Sequence, residues 1–439
     1  MTTRIGRGSV RWPGALRHRN FRLFWFGQLI SLVGTWMQSI GLAWLVLILT
    51  HDPLWLGFVA AAQFLPVLIL GLFGGIIADV LPKRATLVGT QTASMLLALV
   101  LAALSFANVA QVWPILLLAA LLGLVNAVDM PTRQAFVIEM VGVEDVTNAV
   151  GLNSAVFNAA RIVGPALGGI LIGLVGVTAC FFLIGVSFIA VIVGLLLMRE
   201  SDLRAASRLA RPRSVRAVAD NLAEGLRYVR STPVVLLAVC LVGFVSTFAM
   251  NFNVIAPALA QEVLGVGATG LGFLLSSMGL GSLVAALLVA SLRRPRPWIM
   301  VVGALVLGVL EVVLGGVRSY PVALVAMFGA GAGAIAMMVS ANTAIQLAVP
   351  DHLRGRVMSV YTTVFSGSTP IGAPVIGWLA SAFSTEVALV VGGATAIVAA
   401  LVAGAWVLRG GLPLVPGSLA DRLAPEAVPG AGPPRGAGT

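Results

Sequence analysis

The chain is poor in charge. Only 10 % of its 439 residues are Asp, Glu, Lys or Arg, against about 25 % in a soluble domain. It has two cysteines and three histidines. Cys180 and Cys240 fall in apolar runs and suggest no disulfide framework. His18, His51 and His352 are scattered through loops, so no metal-ligand cluster is visible. No Gly-x-x-x-x-Gly-Lys-Ser/Thr loop or nucleophile elbow occurs, which excludes ATP hydrolysis and leaves neither an enzyme reading nor a cofactor. Gly329-Ala330-Gly331-Ala332-Gly333 reads as close-packing helix sequence, not a nucleotide fingerprint.

What is abundant is apolar sequence: 59 % of residues are hydrophobic, with a mean hydropathy of +1.03. Runs of about 18 residues or more recur along the chain, the length a membrane-spanning helix needs. They read as twelve spans in an all-α membrane protein, and not as the short alternating segments of a barrel. A net charge of +11 would suit nucleic acid if it were gathered into one patch. It is instead spread over alternate loops. Every basic residue lies in the loops of one side or near the termini, except Arg318 opposite and Arg133 and Arg161 within spans. This is the positive-inside pattern. It places a multi-pass chain in the inner membrane with both termini cytoplasmic, a lipid bilayer around it and no nucleic-acid partner. The first span is long enough to be retained instead of cleaved as a leader.

The expected organisation follows from composition. Residues 1–20 form a basic cytoplasmic N-terminus and 21–198 a first six-helix bundle. Residues 199–232 form a cytoplasmic loop with a surface helix near 220–229, and 233–408 a second six-helix bundle. Residues 409–439, rich in Pro and Gly, form a disordered tail. The halves share a faint repeat. At one constant offset Ala135, Pro165 and Gly168 align with Ala344, Pro374 and Gly377, and Leu56-Gly57-Phe58 recurs as Leu271-Gly272-Phe273. Two six-helix repeats of like orientation suit a secondary transporter with its site between them.

Charges inside spans are costly and usually mark a pathway or a pair. Arg161 lies roughly 20 Å from the cytoplasmic end of span five, and Asp129 roughly 16 Å from that end of span four, at 1.5 Å per residue. Their similar depth predicts an Asp129–Arg161 pair, with Asp129 changing protonation and Arg161 recognising an acidic or acceptor-rich substrate. Asn126, Asp129 and Arg133 share one helix face at i, i+3, i+4 spacing. One-sided polar stripes mark a cavity: Gln28, Ser31, Thr35 and Gln38 in span one, Thr247 and Asn251 in span seven, Asn342 and Gln346 in span ten. Trp36 and Phe248 offer stacking surface, and Pro257 should free the carbonyl of Asn253. Glu139 is expected to be solvated near the cytoplasmic surface, and Glu311 in span nine has no evident role.

Two motifs carry a family resemblance. Gly75-Ile76-Ile77-Ala78-Asp79-Val80-Leu81-Pro82-Lys83-Arg84 resembles the major facilitator loop signature Gly-x-x-x-Asp-Arg-x-Gly-Arg-Arg. Gly75, Asp79, Lys83 and Arg84 fit, whereas Val80 and Pro82 depart from it. Gly151, Gly164, Pro165, Gly168 and Gly169 resemble the superfamily's antiporter motif, with Ala160 replacing one glycine. Pro165 should kink the helix there. His18-Arg19-Asn20-Phe21-Arg22, Glu224-Gly225-Leu226-Arg227-Tyr228 and Leu353-Arg354-Gly355-Arg356-Val357 are similar to the enterobactin-exporter and macrolide-efflux branch, the transmembrane secretion effectors. The resemblance implies the twelve-helix major facilitator fold, alternating access, a cavity lined by spans one, four, seven and ten, and gating by both motifs. It further implies a monomer exporting a drug-like molecule or siderophore, with protons as coupling ion. An uptake symporter and a non-transporting sensor or assembly partner are the alternatives.

Overall fold

The computed structural model describes residues 14–204, 215–292 and 297–411, apart from the side chains of 72–80, 215–219, 297 and 410–411. Nearly all of this chain is helix. In hydrocarbon every backbone N–H and C=O needs a partner, and a helix supplies it locally. The first three bundle helices are α1 (Arg19–Thr50), α2 (Pro53–Val80) and α3 (Lys83–Phe106). His51 ends α1 in the left-handed region, with φ 51°.

Val112–Leu196 then runs 85 residues with only two single-residue interruptions of its helical backbone. A straight helix of that length would reach about 130 Å, several times the bilayer core of about 30 Å. Two glycines turn it. Gly142 (φ 74°, ψ 178°) and Gly176 (φ 83°, ψ 169°) adopt backbone open mainly to glycine. They divide the run into α4 (112–141), α5 (143–175) and α6 (177–196). Backbone dihedrals stay helical through Pro165, so the proline where a kink is expected does not interrupt α5.

A charged surface helix, Val215–Ser231, leads into the second half. It is longer than the expected 220–229 and is pinned to that half. Tyr228 Oη donates to Ala348 O at 3.0 Å, and Glu224 pairs with Arg356. There follow α7 (Pro233–Val263), α8 (Gly267–Ser291), α9 (Pro297–Gly316), α10 (Tyr320–Ala348), α11 (Asp351–Ala382) and α12 (Thr385–Trp406). Helix α7 is not continuous: it loses helical form at Ala249–Asn251 and ends in a π turn, Leu259–Val263. The break therefore lies before the position expected from Pro257, which sits inside helix.

Among the described residues nine helices are long and apolar enough to cross a membrane. Twelve were expected. The 85-residue run counts once although its two glycines make three crossings of it, and α11 carries Ser, Thr, Gly and Pro along its length. The tail beyond 411, the stretch 1–13 and loop residues 205–214 lie outside the described residues.

The two halves meet along two seams, α2 against α11 and α5 against α8. Bare glycine backbone makes both. A side chain at Gly272 would stand 2.5 Å from Pro165 O, and one at Gly169 2.5 Å from Ala268 O. In the other seam a side chain at Gly57 would stand 2.4 Å from Ala373 O and 2.9 Å from Pro374 Cα. Thr269 Oγ1 and Ser276 Oγ cross the first seam, donating to Gly169 O at 3.2 Å and Ile162 O at 2.5 Å. Both seams run from mid-helix to the end away from the surface helix. At the surface-helix end, α4–α6 forms no extended packing against α10 or α11 among the described residues.

Candidate functional site

The first six helices hold a buried polar network. Asp129 on α4 is 5 % exposed. Its carboxylate accepts from Thr90 Oγ1 at 2.7 Å and Gln91 Nε2 at 2.8 Å, both on α3. Arg133, one turn further along α4, pairs with it at 2.7 Å. Ser31 Oγ on α1 donates to Gln91 Oε1 at 3.3 Å. The carboxylate thus ties α3 to α4, and Gln91 extends the network to α1, below the bundle surface. Arg133 also lies 5.8 Å over the Phe24 ring, and its Nη1 finds no hydrogen-bond partner.

Arg161 does not join this network. The expected Asp129–Arg161 pair is absent, because Arg133 reaches the same carboxylate from its own helix. Depth along two helices says nothing about azimuth, and α5 turns Arg161 toward α1 instead. Its guanidinium lies 6.0 Å over the Trp36 ring. Phe157 packs edge-on against that ring at 5.9 Å. Among the described residues no acid lies within ion-pair distance of Arg161. A partly exposed cation on an aromatic wall can accept an anionic or acceptor-rich group.

The cavity candidates divide. Gln28 and Gln38 are buried, and each leaves one amide atom unpartnered. Thr35 donates to Ser31 O, Thr247 to Gly243 O, and Asn251 Nδ2 to Thr247 O. Gln346 bonds to Asn342. These four contacts close within single helices and span no cavity. Asn126 is half-buried. Thr90 and Gln91 were missed in the sequence, although Thr90-Gln91-Thr92 is a conspicuous polar triplet in an apolar span.

The glycine motif also splits. Gly164 and Gly168 face α1, where side chains would stand 2.5 Å from Trp36 Cβ and 3.1 Å from Met37 Cα. Pro165 and Gly169 face α8 across the seam. Gly151 is exposed, with nothing near it, so it takes no part in either contact. Of the loop signature, Gly75 lies in α2, and the side chain of Asp79 falls outside the described residues. Lys83 pairs with Glu139 at 2.6 Å, so Glu139 is engaged instead of freely solvated. Arg84 pairs with Glu200 and donates to Leu195 O at 2.7 Å. Both bases bind α3 to its own half.

Two helical halves meeting along paired glycine seams form the major facilitator fold. The chain belongs to the transmembrane secretion effector family, whose model matches residues 12–413. It is 29 % identical over 371 residues to the multidrug efflux pump Tap of Mycolicibacterium fortuitum, covering 82 % of this chain and 89 % of that one. It is 32 % identical over 152 residues to the staphyloferrin A transporter of Staphylococcus aureus (strain NCTC 8325 / PS 47). That match spans 34 % of this chain and only 38 % of the relative. Among solved structures, a bacterial homologue of the iron transporter ferroportin in an inward-facing state superposes with a TM-score of 0.69 at 16 % identity, covering 88 % and 98 % of the two chains. An inward-facing, unoccupied bacterial homologue of the lysosomal transporter Spinster gives 0.68 at 12 % identity, covering 90 % and 96 %. The family and its relatives are membrane transporters, so this chain is a small-molecule transporter and not an enzyme.

Proposed function

We propose that this transporter exports an amphipathic drug-like compound or a siderophore from the cytoplasm by alternating access, in exchange for protons. The observation that carries this is the one-sided closure. Glycine seams close the halves away from the surface helix, while among the described residues α4–α6 has no extended packing on α10 or α11 at the surface-helix end. The basic loops share that open end, and positive loops stay cytoplasmic. On this reading both termini are cytoplasmic, the membrane is the inner one, and the conformation is open to the cytoplasm, ready to load an exported substrate. Relatives named for drug efflux and for a siderophore support the direction and the substrate class. The chain acts as a monomer, because its seams complete the site within one copy.

Arg161 and the Trp36 wall receive the substrate's acidic or acceptor-rich part. Gln28 and Gln38, each with a spare amide atom, add hydrogen bonds. On this reading residues 21–198 and 233–408 are the two units that rock about the seams. A deletion strain challenged with an antibiotic panel, and assayed for siderophore secretion with and without an uncoupler, tests this. Increased sensitivity or lost secretion, reproduced in the parent strain by the uncoupler, is expected. Intracellular accumulation that falls on deletion would mean uptake instead.

A further inference from the structure

Glu311 on α9 is 2 % exposed, and its Oε2 has no hydrogen-bond partner. It faces bare backbone on α12. A side chain at Gly392 would stand 3.1 Å from Glu311 Oε1 and 2.7 Å from Phe248 O. The carboxyl and the Phe248 carbonyl therefore share the space that Gly392 leaves empty. Phe248 is the last helical residue before the Ala249–Asn251 break in α7.

Among the described residues no charge compensates Glu311. The elements packed on α9 are α7, α10 and α12. Their titratable groups are Cys240 and Glu262 on α7, Tyr320 on α10 and Glu386 on α12. Glu262 accepts from Thr385 at 2.6 Å, Glu386 pairs with Arg318 at 2.8 Å, Tyr320 donates to Gly270 O at 3.1 Å, and Cys240 is exposed. Asp129 is the opposite case, with one cation and two donors on its carboxylate. An unpaired carboxylate in a dry interior costs many kcal/mol and takes a proton instead.

We propose that Glu311, and not Asp129, is the proton-carrying group of this transporter, a deepening that rests on the proton-antiport reading above. In the present conformation Glu311 is a neutral acid. Substrate held at Trp36 on α1, which packs against α7, disturbs the α7 break. Water then reaches the carboxyl, its O–H passes the proton to that water, and the carboxylate is left solvated. Proton and substrate thus compete through one two-state element, which is what exchange requires.

The test needs no substrate. Infrared spectra of the full-length protein in lipid should show the C=O band of a protonated carboxyl at neutral pH, absent from Glu311→Gln and kept in Asp129→Asn. Spin labels at Val143 and Asp351, at the surface-helix end, should report a separation that varies with pH in the wild type. Glu311→Gln should hold that separation constant and Glu311→Asp should restore its response, which a merely structural role would not do. A band that survives Glu311→Gln, or a wild-type separation indifferent to pH, overturns the proposal. The wild-type band and its titration need no variant to fold. If Glu311 loses its band as expected but transport is insensitive to uncoupler, antiport itself fails and Glu311 carries no coupling proton. If transport is uncoupler-sensitive while the band belongs elsewhere, only this assignment fails.

Discussion

Gly272→Ala tests the seams directly. Its new methyl would lie 2.5 Å from Pro165 O, 3.0 Å from Gly169 Cα and 3.3 Å from Gly169 N. These are backbone atoms of a packed helix and cannot swing aside as a side chain can, so α5 and α8 must part. Overpacking of this kind costs about 1–3 kcal/mol. The cost falls only on the conformation in which the seam is closed, because the partner helix has withdrawn in the other. At about 1.4 kcal/mol per factor of ten, the closed seam loses roughly fivefold to over a hundredfold in population. The Val143 and Asp351 labels, on a background lacking Cys180 and Cys240, should move closer together as the surface-helix end closes. Gly57→Ala should act the same way, since its methyl would lie 2.4 Å from Ala373 O in the other seam. Gly151→Ala is the control, because nothing lies within 4 Å of that site. If Gly272→Ala leaves the label distance where Gly151→Ala leaves it, the seams do not hold the closed end.

Three further outcomes are expected. Asp129→Asn strands Arg133 in the bundle, and breaking a buried pair costs about 3–5 kcal/mol, so melting temperature in detergent should drop while Glu144→Gln, at an exposed acid, leaves it nearly unchanged. Arg161→Lys loses the planar group that lies over Trp36, and the two cations are not interchangeable at a stacked site; transport of an acidic substrate should fall about tenfold or more with melting unchanged. Tyr228→Phe removes the hydrogen bond to Ala348 O, worth about 0.5–1.5 kcal/mol, and should raise proteolytic nicking of the surface helix without lowering transport through an otherwise intact bundle.

The spans were legible because the bilayer imposes them through composition, as long apolar runs. The joints were harder. Gly142 and Gly176 each turn the chain within a single residue, and although Glu144, Asp145 and Asn148 follow the first turn, only apolar valines flank the second. In α7 the proline drew attention to 257, yet the break is at 249–251, where Asn251 Nδ2 donates to Thr247 O at 2.7 Å.

The glycine motif could be recognised by spacing, but not which glycine meets which helix. Gly164 and Gly168 join α5 to its own half, whereas Gly169 joins it to the other. The faint repeat gains a physical reason. Gly57 lies on Pro374 and Gly272 on Pro165, so both seams use the same glycine-on-proline contact. The Asp129–Arg161 expectation failed because rise per residue fixes depth but not direction, and a partner four residues away on one helix is always within reach. Glu311 was noticed as an acid without a role; only packing revealed that nothing among the described residues compensates it.

The most direct measurement of the central claim is substrate movement in everted membrane vesicles, using a compound to which the deletion strain has become sensitive. The account predicts that energised vesicles accumulate it, that an uncoupler abolishes the accumulation, and that vesicles from the deletion strain show none. Accumulation in right-side-out vesicles instead, or accumulation indifferent to the uncoupler, would contradict it.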